Sequence, residues 1–173
     1  MPKLPNYHLC FVCGDRNAAG LAVRFHTDGE KVWTYFTPKK PHMGYAGITH
    51  GGVLAALLDE TMGWAPCIAT RRFCMSVEVC VEFLKPLPLG TPVVATGWTQ
   101  DTRRRIWQAH GEIRGEDATL YARGRGRYVP MTEEQTCAVV RYLTFDEGCL
   151  TRAEIAPYCS RGEAEDPPGS HGQ

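Results

Sequence analysis

From Gly51 to Cys67 the sequence reads GGVLAALLDETMGWAPC, a run dense in alanine and leucine with only two charges. Its apolar residues fall on nearly every side of a helical wheel rather than along one stripe. Such a helix is stable in water only when other elements surround it, so this segment dictates how the rest must be arranged. The run predicts about four helical turns stopped at Pro66, because proline lacks an amide hydrogen and collides with the preceding turn. Thr49 or His50 stands at its start.

The flanking sequence supplies strands. Residues 21–27 (LAVRFHT) and 31–37 (KVWTYFT) flank Asp28-Gly29, a two-residue hairpin signal. Residues 76–84 alternate, with Val77, Val79, Val81 and Phe83 on one face and Ser76, Glu78, Cys80 and Glu82 on the other. Residues 92–99, 105–114 and 118–129 continue the pattern with short links, so antiparallel pairing is expected. Two strands before the helix and at least four after it predict an α+β domain, a curved antiparallel sheet wrapped around one central helix. It would occupy residues 21–130, after an irregular lead-in over 1–20. Residues 131–173 read as an extension. It would hold a helix over 132–143 with a Thr132–Gln135 capping box, another turn near 151–156, and a polar Pro/Gly-rich end expected to be disordered.

Size and charge narrow the partners. A chain of 173 residues and 19.2 kDa fits one domain. Lys+Arg 19 against Asp+Glu 19 argues against nucleic-acid binding, which needs clustered positive charge. No run reaches the roughly 18 apolar residues of a membrane span. The start, MPKLPNYHLC, lacks the apolar core of a secretory signal, so a cytoplasmic location is expected. The eight cysteines are then expected to be reduced, and most of them to be small core or surface hydrophobes. Cys10-x-x-Cys13-Gly14 has the form of one zinc knuckle. A structural zinc wants four ligands, and nothing in the spacing requires His8, His26 or His42 to complete the set, so no metal is expected.

The chemistry concentrates between Gly44 and Met62. Gly51 and Gly52 follow His50 where the helix begins. The first N–H groups of a helix lack internal partners and carry the positive end of its dipole. Glycines there let a carbonyl oxygen approach and a developing oxyanion be stabilised. Asp59 shares its face with Gly52, Ala55, Ala56, Met62 and Gly63, a mostly small-lined cleft. Glu60 faces bulkier neighbours and reads first as structural. His50 and Asp59 are nine residues apart, about 13.5 Å along the axis and about 180° around it. One helix does not easily bring both to one reacting carbon. Two copies about a two-fold axis do, with Gly51 from one and Asp59 from the other, which predicts a homodimer or a dimer of dimers.

The run from His50 to Glu60 resembles the signature of hotdog-fold acyl-CoA thioesterases, nearest to the phenylacetate-pathway (PaaI-like) group. Ser76-Val77-Glu78-Val79 through Phe83-Leu84-Lys85-Pro86, then Leu89-Gly90, is similar to the strand and turn after the helix in that family. Cys10-Phe11-Val12-Cys13-Gly14 with Gly20-Leu21 resembles a lead-in of many members. The resemblance implies a dimeric hotdog fold that hydrolyses acyl-CoA thioesters. By it, Gly51 donates its N–H to the thioester carbonyl, Asp59 acts as general base or nucleophile, and His50 positions the carbonyl or the backbone. Ser76 supports the carboxylate or the water, although its strand parity points it outward. Gly52, Glu60, Gly44 and Thr49 complete the substrate-binding candidates. Gly44 stands where the family usually has Asn or Gln. No cofactor is implied beyond the coenzyme A carried by the substrate. Two other readings remain open, a protein that holds an acyl-CoA or lipid-like ligand without turnover and a 3-hydroxyacyl-thioester dehydratase. Arg123, Arg125 and Arg127, with Arg103, Arg104 and Arg105, read mainly as a solvated face and secondarily as phosphate ligands.

Overall fold

The computed structural model describes residues 1–161. Six strands form one antiparallel sheet in the order β1-β2-β4-β5-β6-β3. They are β1 (Phe25–Thr27), β2 (Lys31–Phe36), β3 (Cys74–Phe83), β4 (Val93–Asp101), β5 (Trp107–Gly115) and β6 (Leu120–Pro130). Helix α1 (Gly51–Thr70) lies in the curve of the sheet and packs on β2 through β6. Leu57, Leu58 and Met62 are fully buried against it. This is the wrapped helix expected from its composition.

The seat of α1 is built from absent side chains. Gly97 of β4, Gly111 of β5 and Gly124 of β6 are register partners, forming a row across three strands. A Cβ on Gly97 would stand 2.6 Å from the Thr61 carbonyl oxygen, and one on Gly111 would meet the Met62 side chain at 2.8 Å. The helix therefore rests on sheet backbone, at a depth that a β-carbon at position 97 would prevent.

Several expectations need correction. Pro66 does not stop the helix, which runs through it to Thr70 and ends at Arg71 in the left-handed region (φ 60°). The lost amide is tolerated because Ala65, Pro66 and Cys67 are buried, and burial outweighs a local penalty of about 3 kcal/mol. The first strand begins at Phe25 rather than at 21, although Leu21 and Val23 are buried without joining the ladder. The Asp28-Gly29 hairpin forms with Glu30 also in its loop, and Asp28 Oδ1 accepts from the Glu30 and Lys31 amides. The regular alternation read over 76–84 fails at a β-bulge between Ser76 and Glu78.

Beyond the sheet, α2 (Glu133–Arg141) opens with the Thr132–Gln135 capping box, and α3 (Arg152–Ile155) follows with a second box at Thr151 and Glu154. Cys137 and Cys159 form a disulfide, Cα–Cα 5.3 Å, which ties α2 to the segment after α3. The expectation that every cysteine stays reduced is wrong for this pair, which chain folding brings together across 22 residues. The Pro/Gly-rich end expected to be disordered lies outside the described residues. No helix is long and apolar enough to cross a membrane among the described residues.

Candidate active site

Two cavities flank α1, and the sequence-derived candidates divide between them. The first, about 590 Å³, sits at the helix start and is lined by Gly44, Thr49, His50, Gly51, Phe83 and Lys85 among others. His50 is the N-cap, and its Nδ1 accepts the Gly52 N–H at 2.9 Å. That bond consumes the Gly52 amide and leaves the Gly51 N–H without an acceptor among the described residues. Thr49 is 5% exposed, and its Oγ1 is buried with no hydrogen-bond partner among the described residues. A free amide at the positive end of a helix and an orphaned hydroxyl together suit an oxygen-bearing ligand.

Gly44 packs on His50. A Cβ there would lie 3.0 Å from His50 Cα and 3.2 Å from its ring Cδ2. The Gly44 N–H donates to the Ile48 carbonyl and the His50 N–H to the His42 carbonyl, closing the turn tightly. A side chain at 44 would press on the N-cap, and His50 would have to give by a few tenths of an ångström.

The second cavity, about 300 Å³, is lined by Asp59, Glu60, Ser76, Tyr128, Cys10 and Cys13 among others. Asp59 is half-buried, and burial pushes its carboxyl up while the neighbouring Ser76 side chain pulls it back. That Ser76 lines the same cavity is the work of the bulge. Ser76 is the register partner of Tyr128, whose side chain is buried against α1, and directly opposed residues share a face. After the extra residue, Glu78, Cys80 and Glu82 pair with Arg127, Arg125 and Arg123 on the outer face. The outward parity read for Ser76 is therefore overturned, because bulges re-aim a side chain without leaving a trace in alternation. The Tyr128 hydroxyl, which sequence reasoning missed, donates to the Asp59 carbonyl at 3.4 Å.

Val139 and Leu143, from and just after α2, also line this cavity, as does Tyr7 of the lead-in. Both chain extensions are thus walls of the Asp59 cleft. Glu60 joins Cys10 and Cys13, their ligand atoms all within 4.8 Å of one another. Burial and the neighbouring Cys10 push the Glu60 carboxyl up to about 7. Hydrogen bonds, first that from the Cys13 side chain, bring the Cys10 thiol down to about 5. The histidines considered for this pair are engaged elsewhere. His8 bonds Asp15 and Thr144, His42 accepts the Lys39 amide, and His26 stacks on Trp33. The arginine row is largely neutralised, since Arg123 pairs with Glu82, Arg127 with Glu78, and Arg103 and Arg104 with Asp101.

A long helix cradled by a curved antiparallel sheet, with a free amide at its start and a half-buried carboxylate midway, defines the hotdog class. Residues 46–122 match the model of the thioesterase superfamily. It is 26% identical over 93 residues to the acyl-coenzyme A thioesterase THEM4 of Mus musculus, a match covering 53% of this chain and 40% of that protein. A crystal structure described as a thioesterase superfamily protein is 30% identical, with TM-score 0.65, covering 69% of this chain and 62% of that one. The Escherichia coli PaaI protein of the phenylacetic acid degradation operon shares the fold at TM-score 0.61 and 19% identity, over 68% and 86% of the two chains. So does a Streptococcus mutans protein bound to acetyl CoA, at TM-score 0.58 and 17% identity, over 62% and 86%. The chain spans less than half the length of the curated relative and less than two thirds of the first of these structures.

Proposed function

We propose that this chain is an acyl-CoA thioesterase acting as a dimer with two shared sites. The Gly51 N–H of one protomer binds the thioester carbonyl. Asp59 of the other takes a proton from water, or attacks directly to form an anhydride that water then opens. In the water route the hydroxyl adds to the carbonyl carbon, the C–S bond breaks, and the proton held by Asp59 passes to the departing thiolate. Ser76 holds the carboxylate in place, and His50 fixes the helix start by occupying the Gly52 amide.

The observation that carries this reading is the β3 bulge that brings Ser76 to the wall of the Asp59 cavity, within a segment that matches the thioesterase-superfamily model. Sharing between protomers is supported by the separation of Gly51 and Asp59 into different cavities of one chain. It is also supported by β3, an edge strand whose Met75 and Val77 are 60% and 56% exposed. An uncovered edge of that length and polarity invites pairing with another copy. Coenzyme A is the thiol of choice because a protein of the same fold holds acetyl CoA.

The test is a panel of short, long and aromatic acyl-CoAs with free thiol monitored, run on the protein and on Asp59→Asn. The expected result is thiol release with at least one class, reduced about 10²–10⁴-fold in the variant. Near-normal hydrolysis by Asp59→Asn removes the role assigned to that carboxylate. Thermal stabilisation by an acyl-CoA without thiol release would make the protein a ligand-binding member of the fold.

A further inference from the structure

We propose that Cys10, Cys13 and Glu60 form a zinc site that fastens the N-terminal lead-in to α1 beside the Asp59 cleft. The inference does not rest on the thioesterase reading.

The three ligand atoms lie within 4.8 Å of one another, and Cys10 Sγ is 3.7 Å from Glu60 Oε1. Tetrahedral zinc, with Zn–S near 2.3 Å and Zn–O near 2.0 Å, would hold sulfur and oxygen about 3.5 Å apart and two sulfurs about 3.8 Å apart. The Cys10 sulfur and the Glu60 oxygen already stand near that spacing. Three protein ligands leave a fourth position, and all three residues line the cavity that would supply a water to fill it.

The Cys10–Gly14 turn is shaped for a thiolate. The Val12 and Cys13 amides both donate to Cys10 Sγ at 3.3 Å, and the Gly14 amide donates to the Cys10 carbonyl at 3.0 Å. A β-carbon on Gly14 would stand 2.4 Å from the carbonyl oxygens of both Cys10 and His8, so only glycine closes the turn. Two amide hydrogens aimed at one sulfur stabilise negative charge on it.

Glu60 is what distinguishes a metal site from a packed thiol pair. It makes no ion pair with any lysine, arginine or histidine among the described residues. Instead its carboxyl faces two sulfurs. A disulfide between Cys10 and Cys13 would leave that carboxyl largely buried with nothing to offset its desolvation, whereas a divalent cation satisfies all three groups. Two sulfurs with one carboxylate select zinc over magnesium or calcium, which take oxygen ligands. On binding, the thiol protons pass to solvent as the S–Zn bonds form. A second thiol pair on the same cavity, Cys67 and Cys74 at 3.9 Å, has no carboxylate within its cluster and so fits the ion less well.

The test uses the full chain, reduced and freed of metal by a chelator, then titrated with zinc chloride or cobalt(II) chloride. The expected result is one ion per chain and a cobalt–thiolate charge-transfer band. Cys10→Ser and Cys13→Ser abolish both, Glu60→Gln weakens binding at least about tenfold, and Cys74→Ser leaves binding unchanged. Should the serine variants fail to fold, alkylation of the wild-type chain read by mass spectrometry decides the matter. Zinc is expected to protect Cys10 and Cys13 while leaving Cys80 and Cys149 reactive. No stoichiometric uptake, no thiolate band, loss of binding in Cys74→Ser, or equal alkylation of Cys10 and Cys13 with and without zinc would each overturn the site.

Discussion

At the scale of single residues, the site turns on one inserted amino acid. Val77 occupies the bulge, and in a strand that ran regularly through Val77, Ser76 would share the outer face with Glu78 rather than the inner face with Tyr128. Ser76 lines the Asp59 cavity and holds that carboxyl toward its ionised form. Its loss lets the carboxyl rise further, so Ser76→Ala is expected to lower kcat about tenfold with little change in KM or in melting temperature. Steady-state thiol release decides this. An unchanged kcat would show that Ser76 merely occupies the strand. The placement of Asp59, Gly51 and His50 along one helix was legible from their spacing, which is a fixed geometry. Ser76 was not, because a bulge keeps the same residues in the same order and changes only which face they take. The neighbours of Glu60 were hidden for another reason. Its partners Cys10 and Cys13 lie 50 and 47 residues earlier in the chain, and no local pattern links them.

Among the elements, the strands from β4 to β6 follow their sequence closely, because alternation along most of their length leaves one register that hides the apolar side, with irregularities only at Thr99/Asp101 and Ile113/Arg114. The depth of α1 against them was hidden, since it depends on glycines in three strands falling into one transverse row. That row makes the two faces of an alanine substitution unequal. At Gly97 the new β-carbon meets the Thr61 backbone, which cannot rotate away, whereas at Gly124 it meets the flexible end of Met62 at 3.0 Å. Gly97→Ala is expected to cost about 1–3 kcal/mol, the usual range for overpacking, and Gly124→Ala clearly less. Urea midpoints followed by circular dichroism compare them, and equal losses would contradict a helix seated on bare backbone. Pro66 teaches the converse lesson. A local breaker predicted the end of α1, and burial of the turn around it carried the helix four residues farther.

Across the whole molecule, the unpaired edge of β3 and the two half-sites argue for one arrangement. The Gly51 amide and the Asp59 carboxylate each line a cavity that lacks the other, so a two-fold related copy would complete both at once. Subunit mixing tests this directly. Gly51→Pro deletes the donor at a position suited to proline. It is the first helical residue, and His50, at φ −65° and ψ 134°, already adopts the conformation proline demands of its predecessor. The ring would press on Phe83, whose exposed tip can swing aside. Gly51→Pro and Asp59→Asn homodimers are each expected to be nearly inactive. An equal mixture after subunit exchange places half the chains in heterodimers, each with one intact site of two, and so regains about a quarter of wild-type activity. Native mass spectrometry of differently tagged chains verifies the exchange. Exchanged dimers that stay inactive would mean that each chain carries its own complete site. The Gly51 amide would then have no part in the chemistry done at Asp59, because within a single chain the helix between them holds the two apart.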